Sequence, residues 1–144
     1  MKTITLSLIL VLFVSACSKK SESTVTNIPQ AKAAAQKAAE QWLALVDAGS
    51  YAESWKNASA FFQSAVTRDQ WGPIVSGVRG PMGDLVSRQF KSARYSEMLP
   101  DSPDGNYVVL QFDTSFANKK DAVETVTPKF EPDGKWKVSG YYIK

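Results

Sequence analysis

The 144-residue chain contains no histidine and a single cysteine, Cys17. Without histidine it lacks the usual general base near neutral pH and the commonest metal ligand. A Ser-His-Asp triad and a Cys-His pair are excluded, and one thiol with no imidazole cannot build a zinc site of ordinary composition. No cofactor or metal is therefore expected, and chemistry would fall to carboxylates, Lys, Tyr, Ser or Thr. One cysteine also allows no disulfide within the chain, so packing alone must hold the fold. Charge is balanced as well, with 17 Lys and Arg against 14 Asp and Glu for a formal net charge of +3. A nucleic-acid binder needs a basic stripe, which so mild a balance does not supply, and no nucleic-acid partner is expected. Nor is there an apolar run of the roughly 20 residues that a membrane-spanning helix requires.

What the chain does have begins at its N-terminus. Lys2 precedes an apolar run from Ile4 to Val14 that ends in Val14-Ser15-Ala16-Cys17. A charged start, an apolar stretch of about 7–15 residues and small residues at the cut site make a secretory signal peptide, here residues 1–16. Small residues directly before the only cysteine resemble the lipobox of bacterial lipoproteins. That resemblance implies that Cys17 is diacylated, becomes the first residue on cleavage and is then usually acylated on its amine. Val14-Ser15-Ala16 would also serve as an ordinary cleavage site releasing a soluble protein with a free thiol. The anchored reading makes the membrane a partner through the acyl chains on Cys17, since each buried methylene adds about 0.8 kcal/mol and two chains suffice for stable attachment. Ser18 stands where an aspartate would resemble the inner-membrane retention signal, so the expected location is the bacterial envelope and, in a host with two membranes, the periplasmic face of the outer one.

Residues 17–30 read as the lipidated cysteine and a flexible tether: Ser18 to Thr24 are polar, without aromatics or a secondary-structure period. Such a coil would hold a domain roughly 20 Å from the bilayer. Residues 31–144 read as a single globular domain. Its first helix places Ala31, Ala34, Ala35, Ala38, Trp42, Leu45 and Val46 on one face and ends at Gly49. Ser50 with Glu53 forms a capping-box pattern for a second helix, its inner face Tyr51, Ala52, Trp55, Ala58, Phe62, Ala65 and Val66. Thr67 with Gln70 repeats the pattern for a third, with Trp71, Ile74, Val75 and Val78 inward, a kink expected at Pro73 and an end at Gly80-Pro81 and Gly83.

From Leu85 the period becomes two, and turn signals divide the rest into four strands. Val108, Leu110, Phe112 and Phe116 share one face of the second strand, with Tyr107, Gln111, Asp113 and Ser115 on the other. In the third, Val123 and Val126 lie on opposite faces and leave the core side open. Asp133-Gly134 predicts a hairpin, followed by a strand with Trp136, Val138, Gly140 and Tyr142 on one face. The expected fold is α+β: about three N-terminal helices packed on a four-stranded antiparallel meander. Residues 42–51 (Trp42 to Tyr51), 65–71 (Ala65 to Trp71), 107–116 (Tyr107 to Phe116) and 134–142 (Gly134 to Tyr142) resemble the bacterial family known as domain of unknown function 4019, a likeness that brings no activity or catalytic residues. The order of elements is also similar to the nuclear-transport-factor-2-like superfamily, a resemblance that implies a curved, cone-like sheet.

Four tryptophans raise two readings, aromatic core or pocket. Trp42, Trp71, Phe112, Trp136 and Tyr142 are the candidate lining of a cone interior, were that interior a cavity rather than a filled core. Arg68, Arg79, Arg88, Lys91 and Arg94 outnumber Asp69 and Asp84, an excess that reads as a solvated surface or a docking patch. The cone likeness implies that a carboxylate pointing inward, Asp113 or Glu124, could act as a base, although Asp113 belongs to the polar face. Asp101, Asp104 and Gly105 read as a turn. The leading expectation is a lipid-anchored, non-enzymatic module that binds an envelope protein or glycan, with a small apolar-ligand binder second and a carboxylate enzyme third. Growth with labelled palmitate should label the protein, and Cys17→Ala should abolish both label and membrane association. A soluble, unlabelled wild-type protein would contradict the anchor.

Overall fold

The computed structural model describes residues 25–144. Cys17 and the segments expected to be a signal peptide and most of a tether therefore lie outside the described residues. Helix α1 (Ile28–Asp47) starts three residues before the expected domain boundary, because the Asn27 side chain accepts from the Gln30 N–H at 3.0 Å and Pro29 sits in the first turn. It ends at Gly49, whose φ of 70° permits a paired cap: Gly49 N–H donates to Val46 O at 3.0 Å and Ser50 N–H to Leu45 O at 2.9 Å. Its buried stripe is Ala31, Ala35, Ala39, Trp42, Leu43 and Val46, rotated slightly from the expected one, with Ala34 exposed.

The expected second helix is two: α2 (Tyr51–Lys56) and α3 (Ala60–Ala65). Asn57 ends the first and Ser59 caps the second, accepting from Phe62 N–H at 3.1 Å. The break pins the helices to the sheet, for Ser59 N–H donates to Val138 O at 2.8 Å. Ser50 makes no side-chain cap, so its half of the expected capping box is not realised, whereas Thr67 and Gln70 cap each other at α4 (Arg68–Met82). Helix α4 runs unbroken past Pro73 and through Pro81, and stops at Gly83, where φ is 76° and a Cβ would meet Ala117 and Asn118 at 3.1 Å. Its buried stripe is Trp71, Val75 and Arg79, and Ile74 and Val78, expected inward, are exposed.

Strands β1 (Leu85–Ser96), β2 (Tyr107–Phe116), β3 (Lys119–Phe130) and β4 (Trp136–Ile143) form an open antiparallel sheet in sequence order, as the meander predicts. Helix α1 packs against all four strands. The inward face of β2 is Val108, Leu110, Phe112, Thr114 and Phe116, and that of β3 is Ala122, Glu124, Val126 and Pro128, which settles the open side of the third strand. In β4 the alternation breaks. Pro128 pairs with Val138 but Thr127 with Gly140, so Ser139 is an extra residue. This bulge turns Tyr141 inward opposite Val126 and sends Tyr142 outward opposite Thr125, the reverse of the simple period.

The helices and sheet meet in an aromatic core whose polar edges are satisfied. Trp42 lies 5.9 Å from Trp71, 6.2 Å from Phe62 and 5.3 Å from Tyr141 between ring centres. Buried Ser54 ties two indoles together: Trp42 Nε1 donates to its carbonyl at 2.8 Å and Trp71 Nε1 to its hydroxyl at 2.9 Å. Trp136 packs at the half-buried margin, 5.1 Å from Phe130. Denaturant unfolding should therefore show that Trp42→Ala costs about 3–5 kcal/mol and Trp136→Ala clearly less. Equal losses would contradict this placement.

Candidate functional site

The residues expected to line a cavity do not assemble into one lining. Trp42, Trp71 and Phe112 are buried against one another's neighbours in the core, Trp136 sits at its margin, and Tyr142 is 62% exposed on the opposite face of the sheet. The inner ends of the elements bring together something else, a cluster of four charges in a largely apolar layer. Asp47 comes from the last turn of α1, Arg79 from α4, Arg88 from β1 and Glu124 from β3, joined by Thr114 of β2 and Tyr141 of β4.

Arg88 is the centre of the cluster. Its Nε and Nη2 grip Glu124 at 2.6 and 3.2 Å, while Nη1 and Nη2 grip Asp47 at 2.7 and 3.0 Å, so one planar guanidinium forks onto two carboxylates. Glu124, 0% exposed, also accepts from Thr114 Oγ1 at 2.7 Å and from Tyr141 Oη at 2.5 Å. Arg79 donates to Asp47 at 2.8 Å and to Tyr141 Oη at 3.3 Å, and lies 4.6 Å over the Phe116 ring. Two cations face two anions, so the layer carries no uncompensated charge.

Burial alone would raise the Asp47 carboxyl, but the hydrogen bonds from Arg88 and Arg79 outweigh it and hold the group below the usual aspartate range. Burial lowers both guanidinium values, and Asp47 with Tyr141 at Arg79, and Asp47 with Glu124 at Arg88, more than reverse this. Tyr141 is pushed far above the ordinary phenol range, by burial first and then by the adjacent Glu124 charge. Asp47, Arg79 and Arg88 are thus held as ions and Tyr141 as a neutral phenol. Glu124 points inward, as a base would need to, yet both its oxygens are already committed to donors; Asp113 is exposed on the outer face and paired with Lys91 at 2.8 Å.

Arg79 and Arg88, expected on a solvated surface or docking patch, are instead buried or nearly so. A usable signal was present. Arg79 continues the Trp71–Val75 stripe at the next i+4 position, and Glu124 alternates with Ala122 and Val126. A charge in register with an apolar stripe, matched by opposite charges elsewhere in the same register, is the trace of a buried ion network.

The outer face of the sheet is different. Tyr107 is covered there by the 97–106 loop, its phenol donating to Pro103 O at 2.5 Å. Beyond it Gln111, Asp113, Thr125 and Tyr142 are half-buried or exposed, and a shallow hollow opens among Ser87, Gln89, Asp113, Ser115, Lys120 and Asp121. Among the described residues no group of three or more His, Cys, Asp or Glu is placed to hold a metal ion. No described helix is long and apolar enough to cross a membrane.

The model of the family described as "Protein of unknown function (DUF4019)" matches residues 38–141. No curated protein matches the chain.

The cluster gives stability a defined pH dependence. Asp47, lowered in the folded protein, contributes fully above the ordinary aspartate value of about 3.9, and that contribution is lost as pH falls below it. Tyr141, raised in the folded protein, contributes below about pH 10, and its contribution is lost as the unfolded chain ionises above that. Tyr95 and Tyr107, also raised by burial, act in the same alkaline direction. Melting against pH should fall at both ends, with the acid limb flattened in Asp47→Asn. An unchanged acid limb in that variant would contradict the assignment.

Proposed function

The chain belongs to the family of unknown function DUF4019, and on that footing we propose that it is a lipid-anchored, non-enzymatic protein of the bacterial envelope that docks an envelope protein or glycan on the outer face of its sheet. One observation carries this reading: the inner face is filled by core and saturated ion pairs, while the outer face stays open over Gln111, Asp113, Thr125 and Tyr142. Helix α1 and its neighbours occupy the surface on which a cone-like fold would hold a small molecule. The lipobox-like Val14-Ser15-Ala16-Cys17 supplies the address, and residues 18–27 between the cysteine and α1 supply reach.

Three features support a binding rather than a catalytic role. A general base needs a free lone pair aimed at substrate, whereas Glu124 already accepts from Arg88, Thr114 and Tyr141. The Asp47 carboxylate, held below its usual range, is a weak base as well as a paired one. The rings that would have faced an apolar ligand, Trp42, Trp71 and Phe112, are packed in the core. Arg68 and Arg94 remain as exposed cations beside this sheet and helix layer and suit a mixed, solvated surface.

Photo-crosslinking in intact cells tests the docking face. A crosslinkable residue at Gln89, on the outer face, should capture an envelope component, while one at Ala34, exposed on α1, should not. Capture from Ala34 alone would contradict the reading.

A further inference from the structure

The hollow on the outer face lies where β1 and β3 begin and β2 ends. Two register shifts coincide there, one between Leu85 and Ser87 and one between Thr114 and Phe116. Extra residues bend a strand and sharpen its twist, which accounts for a concavity in an otherwise open face. Among the described residues the side chains of Ser87, Gln89, Ser115, Lys120 and Asp121 make no hydrogen bond or ion pair, and Asp113 is held by Lys91 alone. The inner cluster uses its polar groups on one another; here they converge on solvent.

The chemistry of these groups narrows what they can hold. Asp113 and Asp121 are balanced by Lys91 and Lys120, so no net charge selects an ion. Hydroxyl, amide and carboxylate groups stand side by side, offering donors and acceptors in mixture, which suits a ligand whose own groups both donate and accept. Such a ligand is rich in hydroxyls. An aromatic platform lies one row away: Tyr142 stands opposite Thr125, which follows Val123 of the hollow by two residues on the same strand face, about 7 Å along β3. Tyr142 is 62% exposed, and Gln111 is the next residue across the sheet from Thr125. An exposed ring beside hydrogen-bonding side chains fits a sugar, which presents an apolar face and a hydroxyl rim.

We infer that the hollow and Tyr142 form a binding site for an uncharged oligosaccharide, one sugar hydrogen-bonded by Gln89, Asp121 and the flanking hydroxyls and the next laid on the Tyr142 ring. The inference rests on the docking reading above and gives that face its ligand class.

The test uses the full chain, isotope-labelled in zwitterionic micelles, titrated to millimolar concentration with chitotetraose and, separately, maltotetraose while amide shifts are followed by NMR. The site predicts saturable shifts with at least one sugar, confined to the surroundings of Ser87, Gln89, Asp121, Val123 and Tyr142. Gln89→Ala and Tyr142→Ala should each weaken binding by about tenfold, with melting unchanged because both side chains lie on the outer face. No saturable shift with either sugar, shifts confined to the helical side, or unaltered affinity in both variants would overturn the inference. A protein captured in cells from Gln89 together with no sugar response overturns the oligosaccharide while leaving the docking face in place. A sugar response from a chain that palmitate does not label supports the site and removes the anchor.

Discussion

The structure depends on one side chain that belongs to both of its layers. Arg88 stands on β1, yet two of its nitrogens hold Asp47 at the end of α1 while its Nε holds Glu124 on β3. Removing one partner from a buried pair leaves an uncompensated charge and costs about 3–5 kcal/mol, a large share of the roughly 5–15 kcal/mol by which a domain is stable. Apolar burial is non-directional. A guanidinium forked between two carboxylates is directional, so the cluster adds an orientation to the packing of α1 on the sheet. The paired cap at Gly49 acts in the same place, ending α1 directly after Asp47.

That constraint also separates two kinds of polar surface. Polar groups that satisfy one another have nothing left for a ligand, and the inner cluster is close to that limit, with Arg79 Nε its one unpartnered buried atom among the described residues in the cluster. The aromatic layer is similar, since Trp42, Trp55 and Trp71 all place their indole N–H on an oxygen of the chain. The outer face is where polar groups stay free: among the described residues the side chains of Ser87, Gln89, Lys120 and Asp121 make no hydrogen bond or ion pair there. The two bulges that shape this hollow, and the third that sends Tyr142 outward, are departures from regular pairing on the same sheet.

Much of the fold was legible because local signals agreed. The change of period at Leu85, the Asp133-Gly134 turn, the Thr67–Gln70 box and Gly49 each name an element boundary, and each holds in the structure. Several of the failures depend on tertiary hydrogen bonds, whereas Ala34, Ile74 and Val78 are exposed because the buried stripes of α1 and α4 are rotated from the expected ones. Ser59 divides a continuous helical pattern because its amide reaches Val138 across the molecule, and Ser139 shifts the face of β4 by an insertion that simple alternation cannot register. Arg79 and Arg88 look like surface charge in the sequence because burial of an ion is decided by its partners, and those partners lie 32 to 62 residues away. Glu124 was visible as a possible inward carboxylate, but only the structure reveals how many donors meet it.

The central claim is that Asp47, Arg88 and Glu124 act as one unit, and a double-mutant cycle measures it directly. Asp47→Asn, Glu124→Gln and the double variant would be unfolded in denaturant and their losses compared. Because both carboxylates share Arg88, the double loss should differ from the sum of the single losses by more than about 1 kcal/mol. Losses that add to within about 0.3–0.5 kcal/mol, the behaviour of independent sites, would contradict the account.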